Sequence, residues 1–123
     1  MKVFVTGVNG QLGHDVVNEL AARNIEVVGS DITDVYSGAA DGSAVTSAEY
    51  VKLDITDKNA VDKVISDTKC DVVIHCAAWT AVDAAEDKEN QGKVYSINVL
   101  GTRNIAEACK KIDAKLLYLS TDY

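Results

Sequence analysis

Five short apolar runs punctuate the sequence, and in most of them the apolar residues are consecutive rather than alternating. They are Lys2 to Thr6 (KVFVT), Glu26 to Ser30 (EVVGS), Tyr50 to Leu53 (YVKL), Asp71 to Ala77 (DVVIHCA) and Leu116 to Ser120 (LLYLS). A strand that is apolar on successive residues is buried on both faces, the condition of a parallel sheet covered by helices. Between the runs the period changes. From Gln11 to Arg23 the apolar residues Leu12, Val16, Val17, Leu20 and Ala21 recur at helical spacing. Thr56 or Asp57 can cap a helix carrying Val61, Val64 and Ile65, and Val94, Ile97, Gly101, Ile105, Ala108 and Ile112 fall near one stripe of a helix from about Asn90 to Lys111.

The order β-α-β-β-α-β-α-β predicts a doubly wound, Rossmann-type α/β domain with a parallel sheet ordered 3-2-1-4-5. At 123 residues, 47 % of them hydrophobic, the chain is long enough for one such domain with a core that needs neither disulfides nor metal. Proline is absent, so glycine and Asx residues must carry the turns. Residues 32–49 (ITDVYSGAADGSAVTSAE) fit no regular element and read as an excursion at the sheet edge.

The glycines decide where a ligand would go. Gly7-Val8-Asn9-Gly10-Gln11-Leu12-Gly13 lies between the first strand and the first helix, the context that a dinucleotide loop requires. Gly7 allows a tight exit from the strand, Gly10 lets backbone N–H groups reach a pyrophosphate, and Gly13 lets helix and strand approach closely. The helix N-terminus adds partial positive charge. Three glycines alone would also satisfy a plain turn. A second mark supports the nucleotide reading: Asp31, eighteen residues after Gly13, ends the second strand. Its carboxylate can accept from ribose hydroxyls and would repel a 2′-phosphate, or it can simply start a turn. Lys52 is the sole Lys or Arg between Asn24 and Asp57, so NADH is expected over NADPH. Asp54 sits at the same edge, where it can meet an adenine or open the following helix.

Charge excludes other partners. The formal charge of −7 comes with only two arginines, Arg23 and Arg103, and no basic cluster marks a nucleic-acid face. No run is long enough for a membrane span, and the N-terminus lacks a signal-peptide pattern. Cys70, Cys76 and Cys109 are odd in number and lack C-x-x-C spacing, so they read as reduced core thiols of a cytoplasmic protein. His75, on a buried strand, reads as a hydrogen-bonded core residue; no histidine is spaced from it as a dyad. Asp83, Glu86, Asp87 and Glu89 fit a solvated loop and helix start, and no metal is expected.

With "TGVNGQLG", "AAWTAVDAAE" (Ala77 to Glu86) and "STDY" (Ser120 to Tyr123), the chain resembles the extended short-chain dehydrogenase/reductases, and within them the dTDP-4-dehydrorhamnose reductase family. The resemblance covers the whole chain as the cofactor half of a longer protein. It implies that Gly10, Gln11 and Leu12 line the pyrophosphate and that Asp31, Asp54 and Ile55 line the adenosine. Ala78, Trp79 and Thr80 would pass beneath the nicotinamide-side ribose, although Trp79 would equally close the core. Asn98 matches the helix asparagine near the active site. Thr121 matches the hydroxyl that polarises the substrate carbonyl, with Asp122 close to a nucleotide sugar.

The family chemistry is hydride transfer from NADH or NADPH to a keto carbon, a tyrosine protonating the alkoxide. A nearby lysine must lower that tyrosine from its ordinary pKa of about 10. Tyr36, Tyr50, Tyr95 and Tyr118 all lack a lysine four residues on, and nothing follows Tyr123. The expectation is therefore a C-terminally truncated piece, inactive alone, self-associating through the edge of its last strand, whose parent reduces dTDP-4-dehydro-L-rhamnose to dTDP-L-rhamnose. The alternatives are another nucleotide-sugar epimerase or dehydratase, and a non-catalytic module resembling the methionine adenosyltransferase regulatory subunit. A homo-oligomer is left open.

Overall fold

The computed structural model describes residues 1–34, 49–76 and 96–118; the side chains of Gln11, Ser96, Ile97 and Asn98 are not described. Five strands form one sheet: β1 (Lys2–Thr6), β2 (Glu26–Asp31), β3 (Glu49–Lys52), β4 (Val72–His75) and β5 (Lys115–Tyr118). All pairings are parallel and the order is β3-β2-β1-β4-β5, as the sequence predicts. The helices are α1 (Gln11–Ala22), α2 (Lys58–Thr68) and α3 (Thr102–Ile112), the last entered through a π-helical segment, Ser96–Gly101.

Successive residues of β1 feed two cores on opposite faces of the sheet. Val3 and Val5 join Val8, Val17 and Val27 beneath α1. Phe4 points the other way and packs with Val28, Val61, Ile65, Val73, Ile105 and Ala108, under α2 and α3. Full burial of a side chain such as Phe4 contributes about 1.5–3 kcal/mol. The consecutive apolar pattern of the strands thus reports two covered faces.

Local chemistry stops each helix. Asp57, rather than Thr56, caps α2: its carboxylate accepts from the Ala60 backbone N–H at 3.2 Å. Thr56 instead turns back, its N–H and hydroxyl both donating to Asp54 Oδ1 at 2.9 and 2.7 Å. Asn24, Lys69 and Asp113 take left-handed backbone just past the three helices, the position glycine usually fills. Two of these are Asx residues, which tolerate that conformation best.

Because β1 pairs with β2 on one side and β4 on the other, the chain reverses direction of winding at β1. In open α/β sheets a ligand crevice forms at that point, beyond the carboxyl ends of the strands. The glycine loop leaves β1 there.

Candidate functional site

The loop is built around a left-handed turn and one close approach. Gly7 has φ 74°, left-handed backbone that favours glycine. A Cβ on Gly13 would overlap the carbonyl oxygen of Gly7 and stand 2.7 Å from its carbonyl carbon, so α1 can sit this near β1 only with glycine at position 13. Gly10 differs. Its backbone is extended, at φ −79° and ψ 160°, and a Cβ there would make an ordinary 3.4 Å contact with Gly7 O. The fold alone would accept alanine at 10.

Gly10 is also the N-cap of α1, and among the described residues no side chain caps the helix; its first turn carries no acidic residue. The N-terminal donors of a helix without such a cap are suited to an anion. The bare N-cap and the absence of a Cβ at Gly10 fit a pyrophosphate. Leu12, 52 % exposed despite its size, stands in the first turn beside it.

Asp31 closes the other side. Its Oδ2 accepts from the backbone N–H of Asn9, inside the glycine loop, at 3.0 Å, and its Oδ1 accepts from the Ile32 N–H at 2.7 Å. Both oxygens are thereby oriented, and each retains a lone pair for a hydroxyl. The carboxylate also braces the loop, a role that the spacing of Gly13 and Asp31 does not reveal. Asn9 reinforces it: its side chain donates to Thr33 Oγ1 at 2.6 Å, and the Tyr50 hydroxyl donates to the Thr33 carbonyl at 2.7 Å. The turn after β2 is tied both to the glycine loop and to β3.

Asp54 and Ile55 follow at the same edge, where the Leu53 N–H still donates to Asp31 O at 2.8 Å. Asp54 holds the Asx turn at the start of α2, so its helix-opening role is realised. Ile55 is buried against the entry to α3. The Asn104 side chain donates to Ile55 O at 3.0 Å, and a Cβ on Gly101 would overlap Ile55 Cδ1. The backbone of Asn98 lies in the π-helical segment that leads into this contact. Such segments recur at functional sites. Ala78, Trp79, Thr80, Thr121 and Asp122 lie outside the described residues.

Beneath the crevice runs a buried polar chain. The Cys76 N–H donates to Thr6 Oγ1 at 3.0 Å, Thr6 Oγ1 meets His75 Nδ1 at 2.7 Å, and His75 Nε2 meets Thr102 Oγ1 at 3.0 Å. The imidazole stacks on Tyr118, with ring centroids 5.3 Å apart. Burial lowers the His75 pKa to about 4, so the ring is neutral near pH 7 and joins β1, β4, β5 and α3. Burial also pushes the Cys76 and Cys109 thiols up to about 11, and that of Cys70 upward. These are packing cysteines, without the depressed pKa of a nucleophile.

Asn9, Thr33, Tyr50, Gly101 and Asn104 were not singled out as site residues by their sequence alone. Their roles depend on strands and helices far apart in the chain. The one local hint is Asn9, lodged between two motif glycines.

Known proteins resemble this chain over nearly its whole length. A reductase of Streptomyces griseus, "dTDP-4-dehydrorhamnose reductase", is 38% identical over 120 residues, which cover 98% of this chain and 33% of the relative. The Pongo abelii "Methionine adenosyltransferase 2 subunit beta" is 30% identical over 122 residues, 99% of this chain and 33% of the relative. Among solved structures, the UDP-glucose 4-epimerase of Thermus thermophilus in complex with NAD superposes with a TM-score of 0.80 at 29% identity, covering 94% of this chain and 36% of that one. The chain thus spans a third of these relatives' length. The RmlD substrate binding domain family matches residues 1–123, and the chain belongs to that family.

Proposed function

We propose that this chain is the dinucleotide-binding part of an NAD(P)H-dependent reductase that converts dTDP-4-dehydro-L-rhamnose to dTDP-L-rhamnose. The observation that carries the reading is the cradle at the reversal of the sheet. The helix begins at Gly10, an N-cap that offers no side-chain bond and has no steric need of its own to be glycine, and Asp31 is held by the loop it faces. The relatives named as reductases supply the substrate, a nucleotide-linked keto sugar. The nicotinamide group, when bound, supplies the hydride.

In this reading Gly7, Gly10, Gln11, Leu12 and Gly13 hold the pyrophosphate, while Asp31, Asp54 and Ile55 hold the adenosine. Ala78, Trp79 and Thr80 lie along the nicotinamide side. Asn98 supports the active site. Thr121 polarises the substrate carbonyl, and Asp122 contacts the sugar nucleotide. The acid that protonates the product oxygen belongs to sequence beyond this domain. Asp31 favours NADH, because a 2′-phosphate would face a carboxylate. The protein works in the cytoplasm in this reading, where Cys70, Cys76 and Cys109 stay reduced as core thiols.

The full-length protein, mixed with NADH and dTDP-4-dehydro-L-rhamnose, should oxidise the cofactor and release dTDP-L-rhamnose. The relative that is a methionine adenosyltransferase subunit favours a second reading, a regulatory module that binds the dinucleotide without turnover. Tight NADH binding with no oxidation of any keto sugar nucleotide would favour that module. Absence of dinucleotide binding would contradict both.

A further inference from the structure

Lys52 ends β3 as the register partner of Asp31, one strand away from the carboxylate at the ribose edge. In-register neighbours in a parallel pair lie about 4.8 Å apart. Lys52 does not bond Asp31. Its ammonium reaches Asp34 Oδ1 at 2.8 Å, in a pair whose side chains are 61 % and 85 % exposed. The hydrogen bond between them, with their charge attraction behind it, raises the Lys52 pKa and lowers that of Asp34. The turn bearing Asp34 is fixed in place through Thr33, which meets both Asn9 and Tyr50. Asp34 is therefore delivered to Lys52 by the same strap that braces the glycine loop.

We infer that Asp34 and Lys52 form a specificity pair at the adenosine ribose: Lys52 is the cation available to a 2′-phosphate, and Asp34 is the built-in anion that occupies it. This rests on the dinucleotide reading of the glycine loop. Lys52 is the sole Lys or Arg from Asn24 to Asp57, so no other cation of that stretch can take its place. An exposed ion pair is weak, and a dianionic phosphate competes with it well. Discrimination against the 2′-phosphate then comes from two carboxylates, Asp31 by direct repulsion and Asp34 by holding its counter-charge.

Calorimetric titration of the full chain with ADP-ribose and with 2′-phospho-ADP-ribose tests this without turnover. Asp34→Asn should tighten the phosphorylated ligand about fivefold at low salt, the scale of an exposed ion pair, with ADP-ribose affinity unchanged. Added salt should erase the gain. In a Lys52→Met background the Asp34→Asn change should have no effect on either ligand. An unmoved ratio in Asp34→Asn, or a gain that persists without Lys52, would overturn the pair while leaving the glycine cradle intact. If neither ligand binds the wild-type chain or its variants, the dinucleotide reading falls, and the pair with it.

Discussion

The Asn104 side chain, buried in α3, donates to the backbone carbonyl of Ile55 across 3.0 Å, and so fastens the helix leaving the crevice to the turn at the end of β3. Three positions before it, Gly101 gives the room for this contact, because a Cβ there would overlap Ile55 Cδ1 and stand 2.7 Å from Cγ1. Hydrogen bond and close approach act on one residue from one helix.

Replacing Asn104 with Ala leaves that carbonyl buried and unpaired, at a cost of about 1–3 kcal/mol. Gly101→Ala should destabilise by a similar amount, about 1–3 kcal/mol from overpacking. Ile55→Val removes the nearer of the two clashing atoms, Cδ1, and should recover part of the Gly101→Ala loss. Urea unfolding of the single and double variants gives the coupling. Strict additivity of Gly101→Ala and Ile55→Val would show that the two do not meet.

His75 gives the fold a pH dependence of known sign. In the folded chain the ring stays neutral down to about pH 4, whereas the ordinary value is 6.5. The unfolded chain therefore binds the extra proton across that window, and stability falls as pH drops from 6.5 towards 4, by up to about 3 kcal/mol from this group. Below about 4 both states are protonated and the contribution is lost. Urea midpoints at pH 7.5 and 5 should differ for the wild type. His75→Gln should be less stable at pH 7.5 and much flatter between the two; an equal slope would remove His75 as the cause.

Asp31→Ala should narrow the preference for NADH over NADPH by about tenfold or more, chiefly by improving NADPH binding, since an unpaired carboxylate against a phosphate is costly. It should also loosen the glycine loop, because Asn9 loses its acceptor. Dissociation constants for both reduced cofactors, together with the unfolding midpoint, separate the two effects. A ratio unmoved by the change would leave Asp31 with the bracing role alone.

In the full-length protein, Thr121→Val should lower kcat by about 10²-fold while NADH affinity stays within twofold, as expected of a donor that acts on charge developing in the transition state. Stopped-flow hydride transfer and equilibrium binding measure the two separately. Unchanged kcat would assign Thr121 to packing.

Strand identity and order were legible in the sequence because burial on two faces leaves a consecutive apolar signature, which β1, β2 and β4 all carry. Lys2–Thr6 is found with its predicted bounds, and β3 begins one residue early at Glu49, with Leu53 continuing the hydrogen bonding as an end residue. Helix caps were half legible: Asp57 and Thr56 offered the same chemistry, and the choice followed from Asp54 engaging Thr56. The strap joining Asn9, Thr33 and Tyr50, and the contacts of Ile55 with Gly101 and Asn104, were not legible. Periodicity places Gly101 on the inner stripe of its helix but carries no information on which residue, 46 positions earlier, it will touch.

Whether the glycine loop cradles a dinucleotide is decided at Gly10, because the fold does not need glycine there. NADH titrated calorimetrically into the wild-type chain should bind saturably at one site. Gly10→Ala should unfold within about 1 kcal/mol of wild type, since its backbone is extended and its Cβ contact ordinary. It should nevertheless bind NADH at least about tenfold more weakly, the added methyl standing where the pyrophosphate must approach. A folded Gly10→Ala chain that binds NADH as tightly as wild type would rule out a pyrophosphate at this loop.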